Sequence, residues 1–587
     1  MKNSFNHFTK VMAALSIILI LNLVVSACKK DFLDVPANGP LSEEVLSSKK
    51  GLDGLLIGCY SILTGRAASF YSGMGNWVHG SILGADANKG TNAGDQAVVN
   101  PVQRYETLPN SGVVGDKWRI SYEGVARCNT LLRLLGTTTD PTVTSDDKIR
   151  IGAEVHFLRG LYYFELQRLW GKGAPYVDET MTAEEAVKAS NGTDLWPKIE
   201  ADLQAAQRDL PETQSALGRA NKWAAAALLA KVYLYEHKFA DAKTLFTDVI
   251  ANGMTSGGEK YGLLNEYADV FNAEYDNSKE SVFAVQAAVN TGSVANSNNE
   301  NVLNFPYNTG SDGPAGCCGF FQPSFDLVNS FRTDANGLPL LDDSYNTPAK
   351  EVKNDFGLKS ADPFTADAGN LDPRLDHSVG RRSIPYLDWI DHPGDNWIRD
   401  QSYAGPYSPK KFVFYKATAS TLTDGSSWTR GYTAQNQPII RFADVLLMAA
   451  EAEIEAGSLE KAREYVNLVR ARASDPASWV KKGGVNAANY VIGLYNTPWT
   501  DQVAARTAVR FERKLELSGE GHRFFDLVRW GVAAQVLNAY LQGVDGTRLS
   551  TALGGAVFAA GKNEVYPVPQ SQIDLQGAGV LKQNPGY

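Results

Sequence analysis

Apolar residues return at helical spacing over most of this chain. Ile149, Ile151, Val155, Leu158, Leu161, Tyr162 and Leu166 recur every three or four positions. That spacing aligns them on one stripe and predicts a strong helix over 146–170, stopped by Gly171, Lys172 and Gly173. Two helix pairs follow the same pattern. Ala225–Tyr235 and Phe239–Ile250 flank a His237-Lys238 turn, and Asp444–Glu455 and Leu459–Arg472 flank a Gly457-Ser458 turn. Superposing Phe239 on Leu459 also superposes Ala242 on Ala462. A small residue at that point lets antiparallel helices approach closely, as in tetratricopeptide-type units. Further helices are predicted from Ser42-Glu43-Glu44 onward, with Leu46, Leu52, Leu55, Leu56 and Tyr60 as the apolar positions, and over 192–209 against 146–170.

Two stretches lose the helical period. Residues 66–115 are rich in Gly, Asn, Asp and aromatics. Residues 255–440 are long and irregular, with strand-like runs only at Glu280–Gln286 and Lys411–Tyr415. Loops of this length in a compact protein usually carry function. The expected fold is mainly α, a scaffold of tetratricopeptide-type helix pairs carrying a large loop-rich region with short strands.

The first residues have a different pattern. Lys2 and Lys10 precede an almost unbroken apolar run from Val11 to Val25, and Ser26 and Ala27 then lead to Cys28. This is the layout of a secretory signal with a small-residue cleavage site, and the cysteine after it resembles a bacterial lipobox. Cys28 would then be the lipidated first residue of the mature protein, held on a membrane by several acyl chains. The expected organisation is a signal at 1–27, a polar Pro-containing tether at 28–45 and one domain over 46–587. Within it the helical scaffold spans about 46–252 and 440–587, and the loop-rich insertion about 255–440.

Charge and cysteine content narrow the function. The 587 residues carry a net charge of −9, which opposes a nucleic-acid partner needing a concentrated basic face. Of five cysteines, Cys59 and Cys128 lie in apolar helical stretches and read as small buried residues. Cys317 and Cys318 are adjacent in a Gly-rich loop, where an oxidising location would favour a disulfide between neighbours. No Cys/His spacing suits zinc, no EF-hand-like loop suits calcium, and no HExxH, GxSxG or P-loop occurs. Neither a cofactor nor a metal is expected. Glu512, Glu516 and Glu520 fall on one helix face, where a carboxylate pair could be imagined. Glycosidase carboxylates, however, face each other across a cleft at about 5–9.5 Å. With Arg513, Lys514, His522, Arg523 and Arg529 around them, an ion-pair network is the better reading.

Motifs along nearly the whole chain resemble the SusD/RagB outer-membrane nutrient-uptake lipoproteins of Bacteroidota. The mature start, Cys28–Asp34, is similar. So are Trp118–Tyr122 with Asn129, Ala153-Glu154, Phe157–Arg159, Tyr162–Phe164, Gly218–Ala220 and Ala230–Tyr235. Tyr267–Asp269, Asp372–Leu375 and Arg441–Met448 continue the series. The C-terminal set is the most specific: Glu512-Arg513, Glu516-Leu517, Glu520–Trp530, Tyr566–Gln570, Ile573-Asp574 and Asn584–Tyr587, with only Ser518-Gly519 off the usual pattern. The resemblance implies a SusD-like, surface-exposed lipoprotein that captures a glycan without catalysis. It also implies a partner, a SusC-like TonB-dependent transporter, over which the lipoprotein sits as a lid. Capture of a peptide or another non-glycan nutrient in the same kind of complex is the alternative.

A glycan site needs flat apolar faces for pyranose C–H groups, with amides and carboxylates for the hydroxyls. Three loop segments supply both. The first holds Trp77, Asp86 and Asn88, the second Asn301, Tyr307 and Phe320, and the third Tyr386, Asp388, Trp389 and Trp397. A Cys317–Cys318 ring could stack a sugar as an aromatic does. Trp118, Trp170, Trp223 and Trp530 lie in scaffold motifs and are assigned to the core.

Overall fold

The computed structural model describes residues 42–65, 69–314 and 317–587. The signal, Cys28 and most of the tether lie outside the described residues. The helical scaffold is α1 (Lys49–Ser61), α2 (Gly112–Thr137), α3 (Ser145–Trp170), α4 (Trp196–Asp209), α5 (Lys222–Tyr235) and α6 (Phe239–Asn252), then α7 (Phe442–Ala456), α8 (Leu459–Ala473) and α9 (Gln502–Glu516). Each helix from α2 to α6 packs on the next, and α6 packs directly on α7 across the whole loop-rich stretch between them. The helix pairs therefore form one continuous array, and the loops are carried on it.

Local chemistry explains the ends. Thr144 and Asp147 form a reciprocal capping box at the start of α3, and Gly171, with φ of 53°, ends it. Asn221 caps α5 and Ser458 caps α8 through their side-chain oxygens. The α5 helix is apolar around nearly its whole circumference, with Ala224–Ala227 all buried, and it occupies the middle of the array. Ala242 and Ala462 are both fully buried, as their matched positions predict. At the α2–α3 crossing a Cβ on Gly124 would lie 2.4 Å from the Tyr162 ring, so only glycine permits that approach.

Two expectations are corrected. The helix predicted from Ser42 is broken into Glu43–Leu46 and α1, because Ser48 starts a second cap with Gly51 N. Lys411–Tyr415 is not a strand. Phe412 is left-handed at φ 63°, which turns the chain, and Phe412, Val413 and Phe414 are buried individually. The other strand-like run does form β2 (Ser281–Val285). It pairs antiparallel with β4 (Gln437–Arg441), as β1 (Ala87–Gly90) does with β3 (Phe320–Pro323).

Besides the main core, a small separate cluster of Phe305, Tyr386, Trp397, Val413, Phe414 and Ala419 lies under the loops. The loop region thus has its own apolar foundation.

Candidate functional site

The three predicted segments converge on one face. The first and second join through the β1–β3 ladder, in which Asn88 faces Gln322, and through Thr91 N donating to Gly319 O. Tyr307 N donates to Trp397 O at 2.9 Å, tying the second to the third. Arg399 closes the triangle. It donates to Asp95 and Thr91 and lies 5.3 Å from the centre of the Tyr307 ring. Behind this face Lys89 is buried and donates to the Asn92 and Asp95 carbonyls. Burial pulls its pKa down to about 8, against the pull of Asp95.

Burial divides the predicted residues into foundation and surface. Trp77 is 3 % exposed, donates Nε1 to Phe70 O and meets Phe320 and Phe321 edge-on. Asp86 is buried and accepts Gly519 N, and burial pushes its pKa up to about 6. Asn88 bridges Ala404 O and Gly90 N. Asn301 donates to Gln437. Phe320, Tyr386 and Trp397 are buried, and the Tyr386 hydroxyl donates to Pro409 O. These seven side chains are walls of the face in this structure rather than its surface, contrary to the expectation of direct contact. Loops this rich in aromatics must bury most of them to have a core at all.

Tyr307, Cys317, Cys318, Asp388 and Trp389 remain accessible. Trp389 rests edge-on against Phe414, donates Nε1 to Phe414 O at 3.2 Å and is half-buried, with Lys416 over its ring at 5.8 Å from the centre. Asp388 is exposed, but its two oxygens accept Lys416 N and Ala417 N, so it also holds the turn beside Trp389. Cys317 and Cys318 are bonded to each other, half-buried next to Tyr307, whereas Cys59 and Cys128 are free and buried. The Phe305 and Phe414 rings, 5.6 Å apart, form the hub against which Trp389 packs.

Several important residues were missed by sequence reasoning. Arg399 has no local signal, since its partners Asp95 and Tyr307 are remote in sequence. Glu300 accepts Gly75 N at 2.6 Å and faces buried Lys117, joining the second segment to α2. Burial raises its pKa to about 7, against Lys117. Trp428 is 62 % exposed in a Ser/Thr/Arg turn, and only that polar setting could have drawn attention to it.

The carboxylates that might have suggested catalysis are inaccessible. Arg374 bonds Glu512 and Glu516 at 2.7 and 3.0 Å, Arg441 bonds Glu516 and Glu520 at 2.7 Å each, and Lys411 bonds Glu520 at 2.8 Å. The ion-pair reading holds, but the partners are distant arginines. Arg513 and Arg529 pair instead with Asp444, Asp526 and Glu451. His522 is held near 3 by burial and by Lys231, so it is neutral at physiological pH. Trp118, Trp170 and Trp223 are core residues as expected, and Trp530 is half-buried with Nε1 on Glu451. A cavity of about 360 Å³ is on the scaffold between Ile57, Leu63, Leu217 and Val285. It contains none of the predicted aromatics. Among the described residues no group of His, Cys, Asp and Glu is placed to hold a metal, and no helix is long and apolar enough to cross a membrane.

A helix-pair array carrying an aromatic loop face defines a class of binding protein, and the chain belongs to the SusD family, whose model matches residues 279–587. A second model, described as starch-binding and associating with the outer membrane, matches 31–234. The chain is 27 % identical over 549 residues to SusD-like protein P25 of Formosa agariphila, covering 89 % of this chain and 91 % of that one. It is 25 % identical to the starch-binding protein SusD of Bacteroides thetaiotaomicron, over 76 % of this chain and 74 % of that one. Among solved structures, a laminarin-binding SusD-like protein superposes with a TM-score of 0.64 at 24 % identity, covering 92 % of this chain and all of the other.

Proposed function

We propose that this protein is a lipid-anchored, cell-surface glycan-binding protein of the outer membrane. It captures oligosaccharide or polysaccharide on the loop face and delivers it to a SusC-like TonB-dependent transporter without cleaving it. The observation that carries the reading is the set of accessible flat groups on the joined loops: Tyr307, the Cys317–Cys318 ring, and Trp389 on the Phe305–Phe414 hub. Rigid flat surfaces bordered by Arg399, Asn308 and Asp388 suit a ligand with apolar C–H faces and many hydroxyls. Family membership supports the same reading, and so do the laminarin and starch bound by similar proteins. The lipobox at Val25–Cys28 supports the anchor, through acylation of Cys28.

The test is affinity gel electrophoresis of soluble protein starting after Cys28, against plant, fungal and host polysaccharides. Retardation by one glycan, lost in Trp389→Ala with the fold intact, is expected. Retardation by none would overturn glycan capture. Reducing sugar released from a bound glycan would overturn the non-catalytic part.

A further inference from the structure

Ten of the eleven tryptophans are buried or half-buried, and Trp428 alone is exposed. It stands on a hairpin spanning 423–433. Thr423 bridges Thr433, and Thr433 bridges Asn298. Asp424 N donates to Tyr432 O at 2.9 Å, and the Asp424 carboxylate accepts Ser426 N and Oγ on one oxygen and Asn290 N on the other. The ring itself is set edge-on to Tyr432 at 6.4 Å. The indole is thus held on a braced turn, not on a free loop tip.

The hairpin also sits against the site. A Cβ on Gly431 would lie 2.4 Å from Val302 O and 3.1 Å from Phe305 Cε2. Phe305 belongs to the hub on which Trp389 packs, and it is two residues from Tyr307 in sequence. Beside Trp428 on the hairpin the exposed side chains are polar, Ser426 and Arg430. Arg430 forms no ion pair with a described carboxylate. A lone flat apolar ring among hydrogen-bonding groups suits a sugar better than an apolar protein surface, whose contacts cluster several large apolar residues.

We infer that the 423–433 hairpin is a second sugar subsite, in which Trp428 stacks and Arg430 hydrogen-bonds a further unit of the chain already held at Trp389. This rests on the glycan reading above and narrows it, because the ligand is then a chain long enough to reach both tryptophans. Binding strengthens with chain length until the second ring is reached.

The test uses the same soluble protein. Laminarin, xyloglucan, starch, pectin, α-mannan and heparin are screened by gel retardation, and the strongest binder is cut into a size-fractionated ladder for calorimetry. Wild-type affinity is expected to rise with length. Trp428→Ala should match wild type on the shortest fragments that bind and fall about tenfold behind on long ones, equivalent to about 1.4 kcal/mol. Trp428→Phe should recover most of the loss, and Trp389→Ala should weaken every length. Equal affinities of Trp428→Ala and wild type at all lengths would overturn the subsite. If that variant instead lost only its co-purification with the transporter, the ring would belong to that interface and the subsite would again be wrong. Failure of the wild type to bind any of the six would remove the glycan reading itself, and this inference with it. The ring is exposed, so an unchanged thermal midpoint is the control for folding.

Discussion

Two tryptophans eight positions apart show how residue-level roles are assigned. Trp389 is half-exposed on the hub, whereas Trp397 is 3 % exposed within the small loop core, edge-on to Tyr386 and His392. Their substitutions should separate. Trp397→Ala leaves a cavity and is expected to cost about 3–5 kcal/mol of stability, read by urea unfolding. Trp389→Ala should reduce glycan retardation about tenfold or more with a much smaller loss of stability. Equal stability losses would mean Trp389 is a packing residue. The residue types of the face were legible in the sequence, but their sorting was not. Trp77, Asn88 and Asn301 have the same aromatic and amide character as an exposed site, and only the partners supplied by Phe70, Ala404 and Gln437 assign them to its walls.

At the scale of elements, helices were read well because a 3.6-residue period needs no distant information. The Ala242 and Ala462 positions, matched from two far-apart segments, are both sealed in helix–helix contacts. Ala242→Leu should overpack that contact and cost about 1–3 kcal/mol. A comparable change at exposed Ala240 should cost little, and the difference in urea midpoint between the two checks this. Gly124→Ala is expected to be more disruptive still, since its Cβ would meet the rigid Tyr162 ring at 2.4 Å rather than the end of a flexible chain. A thermal midpoint for Gly124→Ala within a degree of wild type would refute the close crossing. Strands were read less well, because pairing depends on a remote partner. Ser281–Val285 finds Gln437–Arg441, whereas Lys411–Tyr415 finds no ladder and turns at Phe412.

For the whole molecule, the dominant electrostatic feature is the buried network of Glu280, Arg374, Arg441, Arg472, Glu512, Glu516 and Glu520. It joins β2 and β4 to α8, α9 and the 372–375 segment. Burial alone would raise the Glu516 carboxyl, but Arg472, Arg441 and Arg374 outweigh it and hold it well below its usual range, and Glu520 is lowered by Arg441 and Lys411 in the same way. The folded pKa values lie below the unfolded value of about 4.3. Their stabilisation is therefore fully present above that value and is lost as pH falls through the folded values. Urea stability should begin to fall as pH drops below about 5 and should keep falling below pH 3. Glu516→Gln should cost about 3–5 kcal/mol at pH 7, because it strands buried arginines. That difference should shrink at pH 3, and a pH-independent difference would contradict the charge argument.

The sequence by itself determined the helical scaffold, the pairing of its small residues and the motifs of the family, because each is written in local period or contiguous order. The tertiary structure decided which aromatics are surface and which are foundation, that Glu512, Glu516 and Glu520 answer to Arg374, Arg441 and Arg470, and that the hairpin carrying Trp428 meets Val302 and Phe305 at Gly431. Burial and ion pairing depend on which distant segments the chain brings together. That follows from α6 closing on α7 across the loops, which no local pattern encodes.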